Sequence, residues 1–173
     1  MELNVVYFYT VAILDWIHLL ETEKFKFIVL NSVIHLVKNE KLIVYGFVIM
    51  PNHIHIIWEN KAMNGKEMPY ASFMKFTGHA FLDELRKTND PLLSRFKVER
   101  NSRNHQFWQR NALPVVMYSR KILEQKLDCI HTNPQQPHWN LVTEPNDYYF
   151  SSCSFYEQQD SHFSWLTHYM DVF

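Results

Sequence analysis

Two histidines separated by one residue, His53 and His55, follow a Met-Pro-Asn turn in the stretch YGFVIMPNHIHIIWEN at 45–60. Alternate residues of a strand point to the same face, so both imidazoles lie on one face. They are about 7 Å apart at most along the strand. Two neutral imidazoles that point together can bind one divalent ion. The commoner outcome for this pattern is a pair of surface histidines on an open sheet face.

A third candidate ligand, Asn133, lies at the end of a predicted helix with the sequence KILEQKLDCIHTNP, residues 121–134. Its core stripe consists of Leu123, Leu127 and Ile130. Gln125, Cys129 and Asn133 are spaced by four residues and therefore fall on one adjoining face. Asn133 offers a carbonyl oxygen, which suits a hard ion such as magnesium or manganese. The local alternative is that Asn133 only ends the helix before Pro134.

Charge is distributed unevenly along the chain. Residues 1–126 carry all 17 Lys and Arg against 12 Asp and Glu, whereas residues 127–173 carry six acidic and no Lys or Arg residues. Segment 86–110 is a local basic stretch that ends in NHQFWQR. Basic residues with interleaved aromatics suit a nucleic-acid backbone and stacked bases, although a solvated loop has the same composition. The candidate DNA contacts are Arg95, Lys97, Arg100, Arg103, Trp108 and Arg110.

Composition limits the class of protein. The 173 residues suit one domain, and 47% hydrophobic content is typical of a folded chain. Three glycines without a Gly-rich motif argue against a phosphate-binding loop. The two cysteines have neither metal-type spacing nor a disulfide pattern, and no apolar run reaches membrane-spanning length. We therefore expect a single cytoplasmic domain over residues 1–173 that does not enter a membrane.

The hydrophobic pattern predicts the elements that position these residues. Strands are predicted over 4–14, 41–50 and 53–60, helices over 21–40 and 67–88, a fourth strand over 106–119 interrupted by Pro114, and a last helix from about Ser119 to Thr132. The apolar run at 41–50 indicates a strand with two covered faces. This order predicts an α+β, ferredoxin-like split βαβ fold. Its antiparallel sheet carries helices on one face, and a C-terminal helix and an extension over 134–173 follow.

Three motifs together resemble the REP-associated tyrosine transposases, relatives of the insertion-sequence-200-type transposases in the HUH nuclease superfamily. The motifs are VIMPNHIHII, FWQR and QKLDCIHTNP…LVTEPNDYYFSS, and the resemblance runs from about Phe8 to about Ser152. It implies a ferredoxin-like fold and single-stranded or hairpin DNA as substrate. It also implies a divalent metal, magnesium or manganese, held by His53, His55 and Asn133.

The sequence departs from the family at the residue that performs the chemistry. The family's nucleophilic Tyr precedes the third ligand by four residues, and Cys129 occupies that position here. A thiolate is poorly suited to attack on a phosphodiester, so DNA cleavage and strand transfer in transposition are expected to be weak or lost. Three hypotheses remain open: a transposase-like nuclease, a catalytically inactive hairpin-DNA-binding module, and a small metal-dependent hydrolase with Glu59 as its base. We expect a monomer or a homodimer.

Overall fold

The computed structural model describes residues 1–100, 103–110, 112, 114–158 and 161–172, and for residues 99, 100, 103 and 161 it describes the backbone alone. The α-helices in these residues are α1 (Glu23–Lys38), α2 (Pro69–Lys87), α3 (Arg120–Thr132) and α4 (Cys153–Gln158). The strands are β1 (Val6–Ala12), β2 (Leu42–Ile49), β3 (His53–Asn60), β4 (Lys97–Arg100), β5 (Arg103–His105) and β6 (Val115–Val116).

Four strands form one antiparallel sheet in the order β2-β3-β1-β6. In the β1–β3 register Ala12 faces His53 and Thr10 faces His55. β1 and β2, which are joined through α1, lie on either side of β3. β3 and β6, which are joined through α2, lie on either side of β1. This is the split βαβ arrangement of the ferredoxin-like fold. The predicted α+β fold class is confirmed.

Helices cover both faces of the sheet. On one face, Trp58 of β3 is fully buried and meets the Phe73 ring of α2 edge to face. Ile57, the preceding residue, points to the other face and pairs with Gly46 of β2. A Cβ atom at Gly46 would overlap the Leu127 side chain of α3. α2 and α3 therefore lie on opposite faces, which explains why β2 is apolar on both sides.

The C-terminal extension hydrogen-bonds along the free edge of β2. Three backbone hydrogen bonds join them: Ile49 N to Phe150 O (2.8 Å), Ser152 N to Phe47 O (2.9 Å) and Thr167 N to Val44 O (3.0 Å). The Ser152 hydroxyl also lies 2.9 Å from Nε2 of His131, a buried residue of α3. The extension thus covers a sheet edge and links that edge to α3.

Two features differ from the sequence prediction. The expected fourth strand over 106–119 is present as the two-residue strand β6, together with an isolated bridge between Trp108 and Ile13. β4 and β5 form a separate two-stranded sheet that the hydrophobic pattern did not predict. Across the described part of the chain, no helix is long and apolar enough to cross a membrane.

Candidate metal centre

His53 and His55 lie close together on the sheet face that α3 covers. Their ring centroids are 4.7 Å apart, and the ring planes meet at 73°. His53 is only 6% exposed, and His55 is half-buried. The alternative interpretation, in which both histidines lie on an open sheet face, is wrong.

Asn52, the last residue of the turn before β3, orients His53. Nδ1 of His53 lies 2.7 Å from Oδ1 of Asn52, so Nδ1 carries the proton and donates. The amide nitrogen of Asn52 donates in turn to the carbonyl oxygen of Trp16 (3.1 Å). Nε2 of His53 therefore keeps its lone pair, which is the form in which an imidazole binds a metal. The sequence context of Asn52 predicts a turn residue and gives no signal of this second contact.

Two residues of β1 hold the second imidazole. Oγ1 of Thr10 lies 2.7 Å from Nδ1 of His55. The ring of Phe8 stacks on the same imidazole, with centroids 5.4 Å apart and an interplanar angle of 18°. These contacts fix both the plane and the rotation of the ring. They also leave its Nε2 without a hydrogen-bond partner among the described residues.

Both imidazoles are neutral at neutral pH. Burial, with smaller contributions from His55 and His138, lowers the pKa of His53 from 6.5 to about 3. Burial and the ammonium group of Lys126 lower the pKa of His55 from 6.5 to about 4. A histidine must be neutral to bind a metal, so no proton has to leave this pair before a cation binds.

The chain of α3 and the turn after it pass over the histidine pair. Lys126 acts electrostatically on His55, and the ring of Trp139 lies 5.7 Å from that of His53. Asn133 lies between these two residues in the chain. It is half-buried, and its side chain has no hydrogen bond to another described residue. The coordination of a metal by Asn133 stays a prediction.

The donor types in this region fit a divalent ion. Within the described ranges, no group of three His, Cys, Asp or Glu side chains could hold a metal. A third protein donor would therefore be of another type. The amide oxygen of Asn133 is such a donor, and carbonyl oxygens are ligands of hard ions. Two imidazoles and one amide would leave further positions for water or a phosphate oxygen.

The two cysteines differ in accessibility. Cys129 is exposed on α3, whereas Cys153 is buried at the start of α4. Burial raises the pKa of the Cys153 thiol to about 11, so this group is chemically inert. Cys129 precedes Asn133 by about one helical turn, and α3 contains no tyrosine. A side chain at position 129 would therefore lie beside Asn133 on the helix.

Glu59 does not fit the role of a hydrolytic base. Its two carboxylate oxygens accept hydrogen bonds from the Tyr45 hydroxyl (2.7 Å) and the Lys61 ammonium group (2.9 Å). It is buried, and it lies four residues from His55, which corresponds to about 13 Å along the strand. A carboxylate that is engaged at both oxygens and distant from the histidines is not placed to activate a water there.

The predicted DNA contacts fall into three groups. Arg95, Lys97 and Arg110 are exposed. Arg100 and Arg103 lie in β4 and β5, but their side chains are outside the described part of the structure. The exposed members can meet a phosphate backbone, and their contact with DNA stays a prediction.

Trp108 is the third case, and the prediction that it offers a free stacking ring is wrong. It is 6% exposed, and its Nε1 donates to the Thr77 hydroxyl of α2 (2.9 Å). Its ring also packs against Phe73 and Phe81 of the same helix. An indole that is buried and whose polar atom is engaged belongs to the core and cannot stack on a base.

An open cleft of about 890 Å³ runs between α2 and the segment 104–110. Arg86 and Arg110 line it, and neither has a carboxylate partner among the described residues. Lys75 also lines it but is paired with Glu67 at 2.8 Å. Part of the basic stretch therefore borders a concave surface of unbalanced positive charge.

One of three comparisons with known proteins bears on the fold. No family model matches the chain, and no curated protein matches it. The chain is similar to a solved structure of a REP-associated tyrosine transposase bound to a REP hairpin, with a TM-score of 0.61 and 19% sequence identity. The match covers 96% of this chain and 84% of that one. At this identity the similarity shows that the two chains share a fold.

Proposed function

We propose that this protein is a transposase-like DNA-binding protein that acts on single-stranded or hairpin DNA. The observation that carries the proposal is the convergence of His53 and His55 beneath α3. It occurs on a fold similar to that of a transposase bound to a REP hairpin. The motifs around this pair resemble the same family, so the fold and the local sequence support one function.

His53, His55 and Asn133 would hold a divalent ion, magnesium or manganese, which when bound polarises a phosphate oxygen as a Lewis acid. Other residues of the protein set the orientation and the charge state of the two histidines. Asn52 and Thr10 orient the two imidazoles, and burial keeps both of them neutral. The protein thus keeps both histidines neutral, the charge state that a metal ligand requires, without a cation.

Lys126 adds a positive charge beside the histidine pair. Its ammonium nitrogen lies 4.9 Å from the centroid of the Phe8 ring, which stacks on His55. It has no carboxylate partner among the described residues, so it can pair with a phosphate oxygen. We assign Lys126 to phosphate binding at this site, a role that the sequence pattern alone did not indicate.

Cys129 is expected to limit the chemistry. A tyrosine side chain reaches several ångströms further than cysteine, so the thiol sulfur stops short of a phosphate held near the histidines. A thiolate is also a poor nucleophile towards phosphorus compared with a tyrosine oxygen. We propose that strand cleavage is weak or absent in the protein as it stands. The alternative function, a catalytically inactive hairpin-DNA-binding module, follows from this same residue.

The basic cleft offers a second contact surface for the DNA. Arg86 and Arg110 line the cleft, and Arg95 and Lys97 are exposed on the chain between them. A duplex stem is uniformly charged along its backbone and is bound by such surfaces through its phosphates. We assign the stem of a hairpin to this cleft and its unpaired flank to the histidine pair.

A selection experiment tests DNA binding directly. The purified protein is incubated with hairpin oligonucleotides of randomised sequence that carry single-stranded flanks, and the bound DNA is recovered. The selected hairpin is then compared with a linear duplex of the same sequence at several salt concentrations. We expect tighter binding of the hairpin, with an affinity that falls as salt rises. Equal affinity for hairpin and duplex at every salt concentration would contradict the proposal.

A further inference from the structure

Trp16 presents a large aromatic ring to solvent beside the histidine pair. The residue is 55% exposed, and its ring centroid lies 5.9 Å from that of His53. A second indole, that of the half-buried Trp139, lies 5.7 Å from the same imidazole. Two tryptophan rings thus contact His53 of the candidate metal centre. Core packing does not explain Trp16, because more than half of its surface remains in water.

The backbone at Trp16 is held in an unfavourable conformation. Asp15 and Trp16 have φ values of 50° and 56°, in the left-handed region that bulky L-residues rarely adopt. Three hydrogen bonds maintain it: Trp16 N to Ile13 O (3.0 Å), Asn52 Nδ2 to Trp16 O (3.1 Å) and Asp15 N to Gln109 Oε1 (3.1 Å). Strained backbone conformations that several surrounding contacts hold in place are characteristic of functional sites.

These hydrogen bonds connect the loop to both proposed DNA contacts. Asn52 is the residue that orients His53, so one side chain fixes the imidazole and the tryptophan together. Gln109 lines the basic cleft, and its side chain accepts from the loop. The loop at Trp16 therefore contacts both a residue of the cleft and the residue that orients His53.

We propose that Trp16 is a stacking platform for an unpaired base of single-stranded DNA at the histidine pair, with Trp139 as a second aromatic wall. An indole face binds any base, because every base has a π-face. This inference rests on the proposed function, since it requires DNA at the site. Trp16 also provides the exposed stacking ring that the buried Trp108 cannot provide.

Three variants separate stacking from structure. Trp16→Gly removes the ring and suits the left-handed backbone, so the fold is expected to be retained. Trp16→Phe keeps a smaller ring. Tyr118→Ala removes an aromatic residue that is 76% exposed and lies next to β6, at the opposite end of β1 from His53. Each full-length variant is titrated with the selected hairpin carrying 2-aminopurine in its flank, and with the same hairpin lacking the flank. Thermal melting of each variant checks the fold.

We expect Trp16→Gly to weaken binding of the flanked hairpin by about 5- to 100-fold, which corresponds to the loss of one stacked base. Binding of the hairpin without a flank should not change. The affinity of Trp16→Phe for the flanked hairpin should lie between those of the wild type and Trp16→Gly. Tyr118→Ala should match the wild type on both DNAs. The 2-aminopurine fluorescence, quenched by the wild type, should recover in Trp16→Gly.

Other outcomes would overturn the inference in distinguishable ways. If the wild type binds both DNAs and Trp16→Gly binds them equally well, the platform is wrong while the proposed function stands. A lower melting temperature with equal losses on both DNAs would make Trp16 a structural residue. If the wild type binds neither DNA, the proposed function fails and the platform fails with it.

Discussion

Asn52 connects two features of the site that the chain separates by many residues. Its amide oxygen accepts from Nδ1 of His53, and its amide nitrogen donates to the carbonyl oxygen of Trp16. Both contacts use the fixed polarity of one amide group, so a residue of similar size without that polarity cannot replace it. At the scale of single residues, the orientation of His53 depends on this side chain.

The first prediction concerns this amide. Asn52→Leu keeps a similar volume but removes both hydrogen bonds, so His53 loses the partner that fixes its protonated nitrogen. We expect the affinity for manganese to fall by about 10- to 100-fold, as for other residues that orient a metal-bound histidine. Isothermal titration calorimetry measures this affinity. Asn31→Leu, at an exposed position on α1, serves as the control and should bind as the wild type does. Unchanged binding by Asn52→Leu would contradict the account.

The contact between β2 and α3 sets the distance of the helix from the sheet. Gly46 has no side chain at the point where Leu127 crosses the strand, and the Ser152 hydroxyl lies on the same side. That hydroxyl also interacts with His131 of α3. At the scale of elements, these contacts determine how close α3 approaches the histidine pair.

The second prediction compares two glycines. Gly46→Ala would introduce a Cβ atom that overlaps Leu127, so we expect unfolding free energy to fall by about 1–3 kcal/mol. Gly78→Ala is the matched control, because a Cβ there meets nothing within 4 Å and alanine favours the interior of α2. It should raise the unfolding free energy by up to about 1 kcal/mol. Urea denaturation measures both values, and equal effects of the two substitutions would contradict this account of α3.

Elements with a regular apolar pattern were predictable from sequence, and irregular ones were not. β3 occupies 53–60 as expected, and α3 begins after Ser119, whose hydroxyl accepts from Ile122 N (3.4 Å). The pairing of β4 with β5 lacks an alternating apolar pattern, because its sequence is polar and rich in arginine. Trp108 was misassigned because its charged sequence neighbours suggested exposure, whereas tertiary contacts with α2 decide its burial.

The site was predictable only in part, for a related reason. Strand alternation correctly places His53 and His55 on one face, since that property is local. The contacts of Asn52, Lys126 and Trp16 depend on how distant segments meet, and no spacing in the sequence reports such contacts.

Charge at the scale of the whole molecule is segregated. All 17 Lys and Arg lie in residues 1–126, and the segment from residue 127 onward is acidic. The net charge of −1 therefore conceals a basic surface at the cleft between α2 and 104–110. The positive electrostatic potential of such a surface favours binding of a polyanion at the cleft.

The third prediction tests this surface. Arg86→Gln and Arg110→Gln should each weaken binding of the selected hairpin and reduce the slope of log affinity against log salt by about 1, as expected for one lost phosphate contact. Lys38→Gln changes the charge equally at an exposed position at the end of α1 and should leave the slope unchanged. Fluorescence anisotropy over a series of salt concentrations provides the slopes. The same slope for all three variants would mean that the cleft does not contact DNA.

The measurement that tests the central claim most directly is a cleavage assay with substitutions at position 129. The wild type, Cys129→Tyr and Cys129→Phe are each incubated with the labelled selected hairpin and manganese, and the products are separated on a denaturing gel. We expect little or no cleavage by the wild type and by Cys129→Phe. Cys129→Tyr should cleave and form a covalent protein–DNA adduct that is lost on chelation or with an added His53→Ala substitution. Robust cleavage by the wild type with a link mapped to Cys129, or equal inactivity of the Tyr and Phe variants on DNA that both bind, would contradict the account.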